Sequence, residues 1–192
     1  MTMQDYEKVG GLLVPVKDSA KGSGLYTGTI IKGGYFDDDG VWHRGKNIVD
    51  HFEFENIVVD QGLTSMLGVY LHADTQIANW FCGLFEGNYT PVGTVTAATI
   101  ASASTETTAY TSATRVAYVP AAAAAKAITN AASRADFIFN ATKTLYGAFL
   151  ISDSTKSGTA GTLFSVARFG SSKVVNDTDE LLLTYAYALS SS

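Results

Sequence analysis

Apolar and polar positions alternate most clearly in the last third of the chain. Four runs show it: Ala135-Asp136-Phe137-Ile138-Phe139-Asn140, Leu145-Tyr146-Gly147-Ala148-Phe149-Leu150-Ile151, Leu163-Phe164-Ser165-Val166-Ala167-Arg168-Phe169 and Glu180-Leu181-Leu182-Leu183-Thr184-Tyr185-Ala186-Tyr187. Each is short, rich in β-branched and aromatic residues, and reads as a strand. Turn chemistry separates them at residues 157–161, 170–172 and 176–179, at the spacing of an antiparallel sandwich or barrel. No strand–helix–strand rhythm breaks the series.

Upstream, Tyr26-Thr27-Gly28-Thr29-Ile30-Ile31 predicts a strand. Tyr35-Phe36 and Val41-Trp42 flank Asp37-Asp38-Asp39-Gly40, and the Asp-Gly step predicts a tight hairpin because it tolerates positive backbone dihedrals. Residues 48–55 predict another strand, with Ile48, His51 or Phe52, and Phe54 competing for its inner face. Asn56-Ile57-Val58-Val59 predicts a short strand closed by Asp60, placed where a helix N-cap stands. From Gly62 to His72 the apolar residues follow a helical period, so one face can lie on a sheet. This is expected to be the one substantial helix. Trp80-Phe81-Cys82-Gly83-Leu84-Phe85 then reads as a fully buried strand, and Arg115-Val116-Ala117-Tyr118-Val119-Pro120 as a strand ended by proline. The alanines at 121–125 have helix propensity, but five residues after a proline cannot overcome nucleation, so a linker or flat strand is expected.

Two stretches stand apart from this pattern. Residues 1–24 contain one apolar cluster, Leu12-Leu13-Val14-Pro15-Val16, between polar flanks, and read as an arm that adds to a sheet edge or docks onto a neighbour. Residues 25–192 make the single folded domain. Residues 93–114 are poor in complexity, with Val95, Ile100 and Tyr110 as isolated apolar points, and read as an interaction loop. The candidate assembly residues are therefore Leu12, Leu13, Val14, Val16, Val95, Ile100 and Tyr110.

Composition narrows the chemistry. Apolar residues form 46% of the chain and charged residues only 16%, less charge than a freely monomeric surface carries, which favours burial of outer surface against other chains. The net charge of −5 comes with no basic run, so nucleic-acid binding is disfavoured. No apolar stretch approaches the ~20 residues of a membrane span, and the first residues show no secretory signal, which implies synthesis in the cytoplasm. Cys82 is the only cysteine and sits in an apolar run, as a structural thiol does. His43, His51 and His72 lack the close spacing of zinc ligands, and Asp37-Asp38-Asp39 lacks the alternation of a calcium loop, although such a turn can attract a cation. No nucleophile elbow, phosphate loop or metalloprotease helix is present. The expectation is a protein without catalytic residues or cofactors.

The segment Asn-Ile-Val-Val-Asp-Gln-Gly-Leu at 56–63, the run Trp80 to Phe85 and Asn88-Tyr89-Thr90-Pro91 resemble a group of small virion structural proteins of tailed bacteriophages. Thr114-Arg115 and the later strands at 132–140, 146–150 and 179–185 extend the resemblance over residues 56–185. It implies a jelly-roll-like sandwich on the exterior of a capsid, acting as a decoration or cement protein. Its implied partners are the major capsid protein and further copies of itself, as a dimer or trimer. A tail, collar or fibre component is the alternative, although no repeat or trimerisation stem is visible. A hydrolase built on a β-sandwich is a third and minor reading, for which Asp177, Asp179 and Glu180 or Glu53 and Glu55 would have to serve as carboxylate pairs.

Overall fold

The computed structural model describes residues 22–190 in full, together with the backbone of Tyr6–Val9, Leu12–Pro15 and Lys21. In chain order the strands are β1 (Tyr6–Val9), β2 (Leu12–Pro15), β3 (Lys21–Lys32), β4 (Tyr35–Phe36), β5 (Trp42–His43), β6 (Asn47–Glu55), β7 (Ile57–Val58), β8 (Trp80–Phe85), β9 (Val116–Tyr118), β10 (Ala127–Thr129), β11 (Ala135–Ile138), β12 (Lys143–Ile151), β13 (Leu163–Val175) and β14 (Glu180–Ser190). Two helices interrupt them, α1 (Asp60–Leu71) after β7 and α2 (Ala97–Ser104) after β8. The protein is mainly β, an antiparallel sandwich. One sheet runs β10-β14-β3-β6, with β11 also on β14; the other runs β7-β13-β12-β8-β9. The paired strands β12 and β13 are neighbours in chain as well as in sheet, whereas the paired β3 and β6 are separated in the chain by β4 and β5. This order does not establish the jelly roll that the resemblance implies.

The first sheet is centred on the pairing of β3 with β14, in register from Glu180 opposite Ile31 to Ser190 opposite Lys21. Residues 21–24, given to the arm on sequence grounds, thus belong to the sheet. On β6, Phe52 and Phe54 point inward and pack against Phe169 with tilted rings at centroid distances of 5.2 and 4.2 Å. Ile48, which competed for that inner face, is exposed. The hairpin forms as expected: β4 pairs with β5, Gly40 has φ +75°, and the Asp37 carboxylate accepts the N–H groups of Asp39 and Val41.

The second sheet is apolar on both faces. Cys82, Leu84, Ala148, Leu150 and Ala167 face the first sheet and join Tyr26, Phe137, Phe139, Leu181 and Leu183 in one cluster. Their strand neighbours Phe85, Phe149, Ile151 and Val166 face the other way and pack with Val59, Val95, Ala97 and Ile100 in a second cluster. Both faces being covered is why β8 and β12 read as continuous apolar runs rather than alternating ones.

The cover is the stretch after β8. Residues 93–114 are not an exposed interaction loop, and α1 is not the one helix: α2 lies here, with Ala97, Ile100 and Ser104 buried. The N–H of its N-cap, Thr96, donates to Thr99 Oγ1 at 3.3 Å, and Thr105 closes it in the left-handed region at φ 56°. Residues 170–172, expected to break the chain, instead lie inside β13. There the register jumps from Leu145 opposite Lys173 to Gly147 opposite Arg168, so the turn chemistry makes a wide bulge and not a loop. The alanines before β10 form no helix. Ala125 and Lys126 take positive φ values of 50° and 65° in a tight turn that pairs Ala124 with Ala127. Among the described residues no helix is long and apolar enough to cross a membrane.

Phe139 is fully buried in the shared cluster and its neighbour Tyr110 bridges to it. Phe139→Ala should lower unfolding free energy by about 3–5 kcal/mol, measured by urea titration. Ile100→Ala, which touches only the second cluster, should cost about 2–5 kcal/mol if α2 is an integral layer. A surface loop would give a value near zero.

Candidate assembly surface

The sequence-predicted assembly residues divide into two sets. Val95, Ile100 and Tyr110 are 5, 0 and 1% exposed, so they hold the fold together and offer nothing to a partner. The physical reason is the double-sided second sheet, whose outer face needs apolar cover. Leu12, Leu13 and Val14 fall in β2, of which only the backbone is described, and Val16 lies outside the described residues.

The cover is fixed by a buried ion pair that sequence reading missed. Arg115 Nε and Nη2 donate to the two Glu106 carboxylate oxygens at 2.8 and 2.7 Å, with neither side chain exposed. The guanidinium also donates to the carbonyls of Asp153 and Gly158 at 2.9 and 3.1 Å, and the Ser157 N–H donates to Glu106 at 3.0 Å. Three segments are tied at this point: residues 104–107 beside the end of β8, the start of β9, and the loop after β12. Burial without water requires such saturation of donors and acceptors.

A second ionic cluster joins the β4–β5 hairpin to the first sheet. Arg44 Nε reaches both Glu180 oxygens at 2.7 and 2.9 Å, while Nη2 reaches Asp136 at 2.9 Å. Burial pushes the Glu180 carboxyl up, the adjacent Asp136 adds to this, and Arg44 opposes it. This carboxylate pair is thus already bridged by a cation. The three histidines are separated, each with its own partner: His43 with Asp37, His51 with Thr29 and His72 with Asp74. Among the described residues no three of His, Cys, Asp and Glu converge as metal ligands. Cys82 is buried, and burial pushes its thiol up to about 12.

The outward side of α1 is where the surface departs from an ordinary one. Val59, not Asp60, is the N-cap, fully buried in the second cluster, and the helix starts at Asp60, one place earlier than the sequence suggested. Here the carboxylate lies in the first turn, where the helix dipole favours it. The amide of Gln61 fixes the helix against its neighbours: its oxygen accepts the N–H groups of Ala97 and Leu163 at 2.9 and 3.0 Å. Gly62 packs on β13 so closely that a Cβ would meet the Phe164 carbonyl oxygen at 2.5 Å. With that contact face occupied by glycine, Leu63, Leu67, Tyr70 and Leu71 point outward and are 40, 57, 86 and 81% exposed. Their spacing of three and four places them on one helical stripe. Asp60 is the only charged residue in the helix.

A second group of exposed apolar residues, Tyr35, Phe36, Val41, Ile48 and Val49, surrounds the hairpin. It is interleaved with Asp37, Asp38, Asp39, Arg44 and Lys46, so charge breaks its continuity. Sequence reading gave α1 a single apolar face. The signal for a second was present, since twelve residues with six large apolar side chains and one charge have more apolar surface than one contact face can cover. Comparison of the chain with protein-family models and with curated protein sequences finds no match.

Two predictions follow from this geometry. Arg115→Met should cost about 3–5 kcal/mol, because it leaves the Glu106 carboxylate buried without its cation, and Glu106→Leu should cost less, because the Asp153 carboxylate stays 3.6 Å from the guanidinium. The double variant should cost less than the sum, as read from a urea double-mutant cycle. Cys82 should stay unmodified by an aromatic disulfide reagent at pH 8 in the folded protein and react fully in denaturant.

Proposed function

We propose that the protein is a non-enzymatic virion structural protein, a capsid decoration or cement protein set on the outer surface of a tailed-phage head. The observation that carries this reading is the uncharged apolar stripe of α1, held rigidly by Gln61 and Gly62 and presented outward. Such patches on a stable domain mark interaction sites. Burial of one large apolar side chain contributes about 1.5–3 kcal/mol, so four partly exposed ones give a modest contact per copy. Repetition over a shell lattice multiplies weak contacts into durable ones, which is how a cement protein works. The resemblance of residues 56–185 to phage structural proteins supports the same setting, and the stripe lies within that range.

The paired charges support a structural role in another way. Arg115, Glu106, Arg44, Glu180 and Asp136 are engaged with each other and with loop backbone, where they fix segments of the chain. On this reading the partners are the major capsid protein and other copies of the chain, and the location is the capsid exterior. A tail or collar component would use the same stripe, and copy number per particle separates the two: hundreds for a shell protein, small multiples of three or six for a tail part.

Leu67→Asp/Tyr70→Asp places two charges on the stripe at exposed positions, so the melting temperature should stay within about two degrees of the parent. Mixed with undecorated capsids and pelleted, the variant should co-sediment at least tenfold less than the parent. Equal co-sedimentation would remove α1 from the shell contact.

A further inference from the structure

Of the strands that end a sheet of the sandwich, β6 is the long one. The other edge strands, β7, β9, β10 and β11, have two to four residues, whereas β6 runs for nine, with no proline and no lysine. Shortness, proline and lysine are the usual means of blunting an edge against pairing.

The ladder shows which groups on this edge are free. The Asn56 N–H donates to the Gly24 carbonyl at 3.2 Å, so these two residues form a bonded pair. Bonded and non-bonded pairs alternate along an antiparallel ladder, and Glu55, Glu53 and His51 stand opposite Leu25, Thr27 and Thr29. The main-chain N–H and C=O groups of His51, Glu53 and Glu55 therefore point away from β3, and among the described residues none of them has a backbone partner. The side chains divide by face. Phe52 and Asp50 point inward, where β13 passes beneath: Phe169 packs on Phe52, and Lys173 reaches Asp50 at 2.9 Å. Phe52 is only half-buried, with the sheet ending beside it. His51 and Glu53 point outward and are exposed. The Thr29 hydroxyl engages His51 Nδ1 at 3.1 Å and leaves Nε2 free.

We propose that β6 pairs antiparallel with β6 of a second copy about a two-fold axis at Phe52, joining the two first sheets into one. Main-chain bonds drive strand addition, and side chains choose the register. An axis perpendicular to the sheet pairs residues of the same face, and the outward-pointing main-chain groups have to meet one another. A centre at Glu53 or Phe54 sets carboxylates opposite each other, and a centre at His51 leaves Glu53 facing Val49. With Phe52 at the centre, His51 of each copy faces Glu53 of the other. Complementary pairs directly across a ladder are favourable and like charges unfavourable. With Nδ1 accepting from Thr29, Nε2 carries a proton that the facing carboxylate accepts. The two His51–Glu53 pairs exchange four main-chain hydrogen bonds, and the two Phe52 rings cover each other's open flanks on the inner face. Such a contact is isologous and closes at two copies. It uses no residue of α1 and no capsid, so its failure and that of the shell-binding reading are separately visible.

The test is sedimentation velocity of the full-length protein over a micromolar dilution series, with charge exchange at the two facing positions. The parent should be a dimer that dissociates on dilution. His51→Glu sets four carboxylates around the axis and should weaken dimerisation at least about tenfold. His51→Glu/Glu53→Lys opposes Glu to Lys again and should restore the parent's dissociation constant to within about threefold. Amide hydrogen exchange of the parent reads the main chain directly: the His51 and Glu53 amides should be slow in the dimer and fast in the diluted monomer. Those of Phe52 and Phe54, bonded to β3, should stay slow in both. A monomeric parent overturns the proposal, as does a His51→Glu variant that dimerises like the parent. So does a double variant no tighter than His51→Glu alone, or His51 and Glu53 amides that exchange alike at both concentrations.

Discussion

The second sheet has no polar face, and the rest of the molecule is arranged to keep both sides dry. Cys82, Leu84, Ala148 and Leu150 need the first sheet; Phe85, Phe149, Ile151 and Val166 need something else. Burying one such side chain is worth about 1.5–3 kcal/mol, so leaving the second row in water would cost a sum comparable to a domain's whole stability. The chain meets this requirement with Val59 before α1 and with Val95, Ala97 and Ile100 around α2. Two stretches outside the sheets are thereby committed to one face of one sheet.

A cover made of Ala, Ser and Thr is held weakly by its own apolar contacts, and this explains the buried ion pair. Glu106 and Arg115 stand near the end of the covering stretch, where it returns toward β9. Their two hydrogen bonds, with those to the carbonyls of Asp153 and Gly158, join it to the loop leaving β12. An apolar pair of equal volume could be as stable. The charged pair adds direction, since a planar guanidinium satisfied on several sides accepts one arrangement of these loops. Lys156 reinforces it from the other side, donating to the carbonyls of Thr108 and Tyr110 and lying over the Tyr110 ring.

The strands of the last third were legible because period-two alternation and Gly, Ser and Asn punctuation are local signals. Residues 170–172 show the limit of punctuation. A Gly-Ser-Ser step reads as a turn, yet pairing with β12 on both sides converts it into a bulge within one long strand. The helix α2 was hidden because Ala, Thr and Ser carry little periodic contrast; Val95, Ala97, Ile100 and Ser104 reveal a buried side only once the sheet beneath is known. Arg115 and Glu106 were hidden for a different reason. A charge in a sequence is read as solvated by default, and only the pairing of two distant turns makes its burial possible. The α1 stripe lay between these cases: its residues were correctly placed in a helix, but which of them faced the sheet depended on Gly62 lying against Phe164.

Several of the chain's charges are committed to ion pairs within the fold. Arg44 and Arg115 are committed as described, Lys32 is bridged to Asp179, Lys143 to Glu86, and Lys173 to Asp50 while it lies over the Phe52 ring. A cation held in an internal pair keeps less hydration and repels an approaching neighbour less than a free one. Surface far from these pairs, such as the α1 stripe, carries almost no charge that association would have to desolvate. Helix side chains anchored by Gln61 also lose less freedom on contact than a loop would, which keeps the ordering cost of binding small. The low charge content thus acts twice, by supplying the pins that hold the fold and by leaving apolar faces open to other chains.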